Sequence, residues 1–315
     1  MAVGVKVGKQ GSAGTAASTF ISVPAAFDSK YVKENRVVEE VRSGQDVRFS
    51  VLPGLEREEW TIGQSHIYDD SVGAVLNGLF GTAVGTAGAG AAAPAITNVW
   101  NFTDSTPYLT LQAIQPRRSV EPYQIVDAVV NSMQFAFEAE GVVSFACDGM
   151  GVGRTSIGAP TYAFSTRAPF TAWRGTATID GVANAKIRKG TIGIIRNRKP
   201  LYTLANSVDP NNWSYGARAV DFDMTIDFSS ITEYDYFRNN STKALKFSFA
   251  DDQTISTSGL TGLFSVELFK VAFETGEIDT NEDLPSVNLK GKALVDSSGK
   301  TIEVTVRSGT NFQTA

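Results

Sequence analysis

Apolar and polar residues alternate along much of the chain, and a period of two is typical of β-strands. The clearest strand is predicted over residues 220–228. One of its faces is apolar, and the other carries Asp221, Asp223, Thr225 and Asp227. Residues 133–137 and 244–249 repeat the alternation. Each such strand has one face to bury and one face left for water or a partner, so the fold class is predicted to be mainly β.

Helical spacing is convincing in only two short segments. Residues 71–80 place apolar side chains at helical intervals, with Asp70 or Ser71 as the predicted N-cap and Gly81 as the predicted end. Residues 231–239 follow a capping box formed by Ser230 and Glu233. We expect both helices to flank the strands.

The two helices mark an internal repeat with a period of about 160 residues. In each half an alternating strand precedes the helix and a similar series of strands follows it. This order predicts a first unit over residues 20–150, a junction over 151–170 and a second unit over 171–315. Two unrelated β meanders are the alternative. Residues 1–19 are rich in Gly, Ala and Ser and are predicted to form a flexible arm.

Charge and composition narrow the function classes. The net charge is −5 and no block of Lys and Arg stands out, which argues against a protein that grips nucleic acid. The single cysteine, Cys147, excludes an intrachain disulfide framework and suits synthesis in a reducing cytoplasm. No apolar run is long enough for a signal peptide or a membrane span.

Catalytic chemistry finds little support in the sequence. The one histidine, His66, has Ser65 and Asp69 as its nearest candidate partners, but sequence neighbours rarely form a triad. His66 is therefore interpreted as a loop residue before the first helix. Two carboxylate pairs could suggest glycoside hydrolysis, but their alternating context favours solvated strand faces; they are Glu58 with Glu59 and Glu138 with Glu140.

Metal and cofactor sites are equally poorly supported. The aspartates of residues 220–228 lack the glycine and the closing glutamate of a calcium loop. Gly149, Gly151 and Gly153 are not followed by the helical pattern of a dinucleotide fingerprint and are interpreted as a turn between the units. We predict no catalytic residue, cofactor or metal, and the chain is not expected to be an enzyme.

Taken in order, several segments resemble the tail tube proteins of long-tailed bacteriophages, over about residues 20–273. The resemblance depends on their sequence of appearance, because none is diagnostic alone. They are Leu52, Pro53 and Gly54, the acidic and aromatic strand at 58–60, the helix that ends Asn77, Gly78, Leu79, Phe80 and Gly81, the strand at 101–111, the stretch at 130–145, and the segment 221–228 with the helix and strand that follow it.

The resemblance implies two packed antiparallel β sheets, as a sandwich or partial barrel with short flanking helices, in a subunit that forms stacked rings around a hollow conduit. The lumen of such tubes is acidic, so Asp221, Asp223 and Asp227 are predicted to line it and to let DNA pass without specific binding. Six chains per ring are favoured, although three would suffice if each unit is a complete tube fold. The location is the virion tail, and the implied partners are a tape measure protein, a tail terminator and distal tail or baseplate proteins.

The loop at 197–219 is predicted to make contacts between rings, because aromatic residues and arginine in an extended loop suit a protein interface. Its candidate contacts are Tyr202, Trp213, Tyr215 and Arg218. The inner tube of a contractile tail and a tail terminator remain alternatives with the same fold. A carbohydrate-binding β sandwich is a further alternative, but its aromatic residues would share a face, whereas Trp60, Trp100, Trp173 and Trp213 are scattered.

Overall fold

The computed structural model describes residues 4–38, 50–87, 95–114, 121–204, 207–228, 231–255, 259–280 and 285–313. Two α-helices and many antiparallel strands account for its regular structure. The elements are β1 Val5–Lys9, β2 Ile21–Val23, β3 Phe27–Val38, β4 Ser50–His66, α1 Val72–Phe80, β5 Val84–Ala87, β6 Ile96–Asn101, β7 Leu109–Ile114, β8 Pro122–Glu138, β9 Ser144–Ser156, β10 Gly175–Ile179, β11 Val182–Ala183, β12 Ile187–Ile195, β13 Lys199–Leu201, β14 Asn212–Ser214, β15 Ala219–Asp227, α2 Thr232–Arg238, β16 Thr242–Thr254, β17 Thr261–Asp279, β18 Ser286–Ala293 and β19 Ile302–Ser308. The prediction of a mainly β fold is confirmed.

One layer of eight strands runs through the whole molecule in the order β3-β4-β9-β8-β12-β15-β18-β17. We call it the long layer. The other strands of this hydrogen-bonded network form a second layer, which we call the cover. The two layers are connected because β8 and β17 are long enough to belong to both. The first half of β8 pairs with β7, and the first half of β17 pairs with β16 and β19.

The strand pairing repeats. The first half has the order β2-β1-β7-β8-β9-β4-β3, and the second half has the order β11-β10-β16-β17-β18-β15-β12. In the first half α1 follows β4, which pairs with β9, the last strand of the meander β7-β8-β9. In the second half α2 follows β15, which pairs with β18, the last strand of the meander β16-β17-β18. The additional strands are β5, β6, β13, β14 and β19. The order of paired strands is therefore the same in the two halves, down to the edge strands.

The repeat extends to single residues. Gly149 lies between Trp60 and Val130 on its two neighbouring strands, and Gly291 lies between Phe222 and Phe273. In each case the middle strand of the meander, β8 or β17, has a bulge immediately after this position. Beyond the bulge Ser132 faces Asp148 and Thr275 faces Lys290. A shared bulge at the same register fixes which residues of β8 and β17 correspond.

Aromatic side chains hold the long layer against the cover. Phe137 of β8 packs on Phe247 and Phe249 of β16, with ring centroids 4.8 Å and 5.3 Å apart. Phe135 contacts Phe264 of β17 at 5.4 Å. These contacts join strands of the first repeat to strands of the second, so the two repeats share one hydrophobic core. The apolar face predicted for β15 lies in that core.

Both predicted helices are confirmed, but the N-terminal cap of α1 differs from expectation. Ser71 is the N-cap of α1 without a side-chain hydrogen bond, and Gly81 ends it at φ 122° with its N–H donating to the carbonyl of Asn77. Ser230 lies outside the described residues. Its expected capping partner, Glu233, forms an ion pair with Lys186.

The predicted arm is wrong where the structure describes it. Val5 and Val7 are fully buried, because β1 pairs with both β2 and β7. Small side chains near this strand permit close packing rather than flexibility: a methyl group on Gly8 would overlap with the Thr19 carbonyl. The first unit therefore begins before residue 20.

The junction also differs from its prediction, because β9 continues to Ser156. Gly149, Gly151 and Gly153 lie within this strand rather than in a turn. The connection that follows is fixed by Arg167, which forms ion pairs with Asp69 at 2.9 Å and with Asp251 at 2.6 Å. One guanidinium group thus links the two repeats.

The paired glycines give a direct test of the repeat. A methyl group at Gly149 would overlap with the carbonyl of Val129, and one at Gly291 with the carbonyl of Ala272. We expect Gly149→Ala and Gly291→Ala each to lower the free energy of unfolding by about 1–3 kcal/mol. Gly193→Ala is the matched control, because nothing lies within 4 Å of the added methyl group. Equal midpoints of chemical denaturation for all three variants would contradict this account.

The stability of the folded protein should depend on pH through Asp69. Burial raises the pKa of Asp69 to about 7 from its ordinary value of 3.8, despite the nearby Arg167. Since the folded protein binds this proton more tightly than the unfolded chain, stability from Asp69 is present at low pH and falls as the pH rises from about 4 to about 7. Asp69→Asn should remove this component. Denaturation at pH 4.5 and 7.5 measures it, and an unchanged pH slope in the variant would refute it.

Candidate assembly surfaces

The long layer has one face against the core and one face open to water. On β15 the residues Val220, Phe222, Met224 and Ile226 are buried, whereas Asp221, Asp223 and Asp227 lie on the open face. The open face continues over β12 and β8 through Thr191 and Ala136, which lie opposite each other and beside Asp223. The three predicted aspartates therefore share one continuous surface.

Cations lie next to these aspartates. Lys290 of β18 forms an ion pair with Asp223 at 3.0 Å, and Arg188 pairs with Asp227. Lys292 lies opposite Asp221 and forms an ion pair with Glu274 at 2.8 Å. The acidic stripe predicted from β15 is thus partly neutralised by the neighbouring strands, which a single strand pattern could not reveal.

Carboxylates nevertheless outnumber cations among the described residues of this open face. Strand register and ion pairs place these charged residues on it: the acidic residues are Asp28, Glu34, Glu59, Glu138, Asp148, Asp221, Asp223, Asp227, Glu274, Glu277 and Asp279, and the basic ones are Lys30, Arg57, Arg188, Lys189, Lys290 and Lys292. The acidic character is spread over the layer rather than concentrated on β15.

The loop between β12 and β15 is held by its own buried residues. Trp213 is 3% exposed, and its indole N–H donates to the carbonyl of Asp127 at 3.1 Å. Arg198 is also buried and donates to the carbonyl of Gly78 near the C-terminal end of α1. Burial lowers the pKa of Arg198 to about 10. Within the chain, Trp213 therefore anchors the loop instead of presenting a surface.

Other residues of this loop face outward. Tyr215 is about half exposed, with Arg198 stacked on its ring at 5.3 Å. Leu204 is fully exposed, which is uncommon for a large apolar side chain. Tyr202 donates to the carbonyl of Glu56 at 3.4 Å, and Arg218 pairs with Asp104. Leu204 was not among the candidates from sequence, because a lone leucine in a polar loop gives no periodic signal.

The long layer ends in two strand edges. Among the described residues β3 pairs only with β4, and β17 from Phe273 to Ile278 pairs only with β18. Two large side chains at these edges are exposed, Tyr31 at 44% and Ile278 at 42%. Unpaired N–H and C=O groups on such edges are a template for another strand.

The residues considered for catalysis do not converge. His66 is the last residue of β4 rather than a loop residue, and the hydroxyl of Ser65 donates to the carbonyl of Pro24 instead of approaching the imidazole. Asp69 interacts with Arg167. Burial raises the pKa of Cys147, which favours an unreactive thiol.

Both members of the first carboxylate pair form ion pairs. Glu58 is buried and pairs with Arg154 at 2.5 Å, and Glu59 pairs with Arg57 at 2.9 Å. Within the described ranges, His, Cys, Asp and Glu side chains form no group of three or more that could hold a metal ion. No helix in the described part of the chain has the length and apolar character needed to cross a membrane.

Comparison with known proteins agrees with an assembly role. A search of curated proteins returned no match. A sequence model of the family described as phage tail tube protein matches residues 3–306, which is nearly the whole chain. The match includes both repeats and every helix and strand of the long layer. The chain belongs to the phage tail tube protein family.

Proposed function

We propose that copies of this chain join into rings, and that stacked rings form a hollow conduit for viral DNA with the open face of the long layer lining the bore. The observation that carries the proposal is the long layer itself, a continuous sheet with one apolar face, one wet face and two edges that no other described strand pairs with. Joining such edges between copies extends the sheet around a ring and removes the edges.

The charge of the open face suits passage of DNA. Its carboxylates repel phosphates, while Lys290 and the other cations limit the net charge. Repulsion between exposed charges extends only about 8 Å in physiological salt. DNA is therefore kept from adhering to the wall without being excluded from the bore. Asp221, Asp223 and Asp227 contribute to this lining, together with acidic residues of the neighbouring strands.

The repeat bears on the number of chains per ring. Each half of the chain contributes four strands to the long layer in matching order. This meets the condition under which three chains supply six equivalent units, so we propose three chains per ring rather than six. β1 and β2, which composition assigned to an arm, extend the first unit.

The loop between β12 and β15 is proposed to reach the next ring, because it connects two strands at one end of the long layer. Leu204 and Tyr215 are its outward apolar groups, with Tyr202 and Arg218 beside them, whereas Trp213 keeps the loop in shape.

The role of the subunit is structural and not enzymatic. Its partners in the tail are a tape measure protein, a terminator and distal tail or baseplate proteins, and the chain is made in the host cytoplasm.

Electron microscopy of the purified protein tests tube formation. Uniform hollow tubes are expected at high protein concentration. Monomers that persist at high protein concentration, even after tail initiation proteins are added, would overturn the proposal. Isolated rings that never stack would favour a tail terminator instead.

Thiol accessibility tests which face lines the bore. Thr191 lies on the open face of the long layer, and Thr176 lies exposed on the outward side of the cover. In monomers, Thr191→Cys and Thr176→Cys should both react with a polymer-linked maleimide. In tubes the Thr191→Cys thiol should be shielded while the Thr176→Cys thiol still reacts, since native Cys147 is buried in either case. The opposite pattern would place the long layer on the tube exterior.

Two loop substitutions separate anchoring from stacking. Leu204→Ser removes a fully exposed side chain, so the thermal midpoint should stay unchanged while tubes become short or absent. Trp213→Ala empties a buried site and should destabilise the monomer by about 3–5 kcal/mol. Normal tube length with Leu204→Ser would contradict a stacking role for Leu204.

A further inference from the structure

The geometry points to a specific contact between chains, which rests on the proposed ring: the free edge of β3 pairs antiparallel with residues 273–279 of β17 in the next copy, with Lys30 opposite Glu277. The chain contains its own template for this contact. In the long layer, β12 of the second repeat pairs with β8 of the first. The partner of the free edges is therefore a second copy of this chain, joined as the two repeats are joined inside it.

The template is a regular antiparallel pairing. Ile192 lies opposite Phe135, Gly193 opposite Gln134, and Ile194 opposite Met133. Backbone hydrogen bonds at its two ends continue the pattern, from Arg196 N–H to the carbonyl of Asn131 at 2.8 Å and from Ala139 N–H to the carbonyl of Arg188 at 2.7 Å. Because such bonds alternate along a pair, Gly193 and Gln134 form a non-hydrogen-bonded pair, where side chains approach most closely.

The repeat then transfers this register to the free edges. Ser29 lies opposite Trp60 just as Ile192 lies opposite Phe222, so β3 corresponds to β12 with Lys30 in the place of Gly193. On the other strand, the shared bulge equates Ser132 with Thr275. Glu277 therefore takes the place of Gln134.

The residues brought together by this register are complementary. Lys30 meets Glu277 on the open face, which is a favourable cross-strand ion pair. Tyr31 meets Gly276, which Phe237 of α2 already covers, since a methyl group on Gly276 would lie 2.8 Å from the Phe237 ring. The Tyr31 ring would therefore lie next to Phe237. Ser29 meets Ile278. At the end of the contact Asp28 meets Asp279, and this like-charged pair opposes the other three.

Exposure agrees with the register. Tyr31 and Ile278 are the exposed aromatic and aliphatic side chains of the two edges, and both point to the core side of the long layer, as their counterparts Ile194 and Phe135 do. Those counterparts are buried by the β8–β12 pairing. Pairing between copies would bury Tyr31 and Ile278 in the same way.

The contact joins different surfaces of two copies, so it adds chains head to tail until the ring closes. Each ring then alternates two equivalent junctions, one inside a chain and one between chains. The bore is a single sheet in which the boundary between chains has the same pairing as the boundary between repeats.

Engineered cysteines test the register in assembled tubes. Lys30→Cys combined with Glu277→Cys places two thiols in a non-hydrogen-bonded pair, close enough for a disulfide. Mild oxidation should convert most of the protein to covalent multimers that end at a closed trimer in denaturing gels. The control is Asp28→Cys combined with Thr275→Cys, four residues out of register and about 13 Å apart, which should remain monomeric.

The outcomes separate this contact from the proposed function. Tubes that form normally but cross-link equally in both double variants, or in neither, overturn the register while leaving the tube subunit intact. Wild-type protein that never forms tubes overturns both. Cross-linking confined to the Lys30→Cys and Glu277→Cys pair supports both.

Charge reversal supplies a second readout without cysteine. Lys30→Glu and Glu277→Lys should each reduce tube formation in low salt, because each sets like charges opposite each other. The double variant restores the ion pair in reverse and should recover tubes. Circular dichroism of the monomers checks that folding is unchanged. Double variants that assemble no better than the single ones would contradict the pairing of Lys30 with Glu277.

Discussion

Edge pairing of β-strands is the constraint on which the rest of this structure depends. A sheet edge has N–H and C=O groups that need partners, and each repeat of this chain has such an edge on both sides of its part of the long layer. Inside the chain the β8–β12 pairing satisfies one pair of edges. The remaining edges of the described strands lie on β3 and β17, and in the proposed ring they make a single chain one segment of a larger sheet.

The other features keep that segment rigid. Phe135 and Phe137 reach from the first repeat into the cover of the second, so the junction between repeats is backed by a continuous core. Arg167 binds Asp69 and Asp251 and ties the connecting segment to both halves. A rigid junction matters because the angle between repeats sets the curvature of any ring, and a loose hinge would allow rings of several sizes.

Much of the fold follows from sequence, because strand alternation and helical spacing are local signals. The apolar face of β15, the bounds of both helices and the repeated element order were all predictable.

Local patterns failed where burial came from distant partners. The composition of residues 4–19 suggested an arm, yet β7 buries Val5 and Val7. Lys290 pairs with Asp223 only because β18 lies beside β15, and Trp213 is buried by a contact with Asp127, far away in the sequence. The free edges were likewise invisible, since an edge is defined by the absence of a neighbour.

Cryo-electron microscopy of assembled tubes at side-chain resolution would show how neighbouring chains pair. We expect three chains in each ring, an unbroken barrel in which β3 of one chain continues the sheet from β17 of the next, and the open face of the long layer toward the bore. A ring in which β3 remains unpaired, or in which Asp221 and Asp223 face the tube exterior, would contradict this expectation.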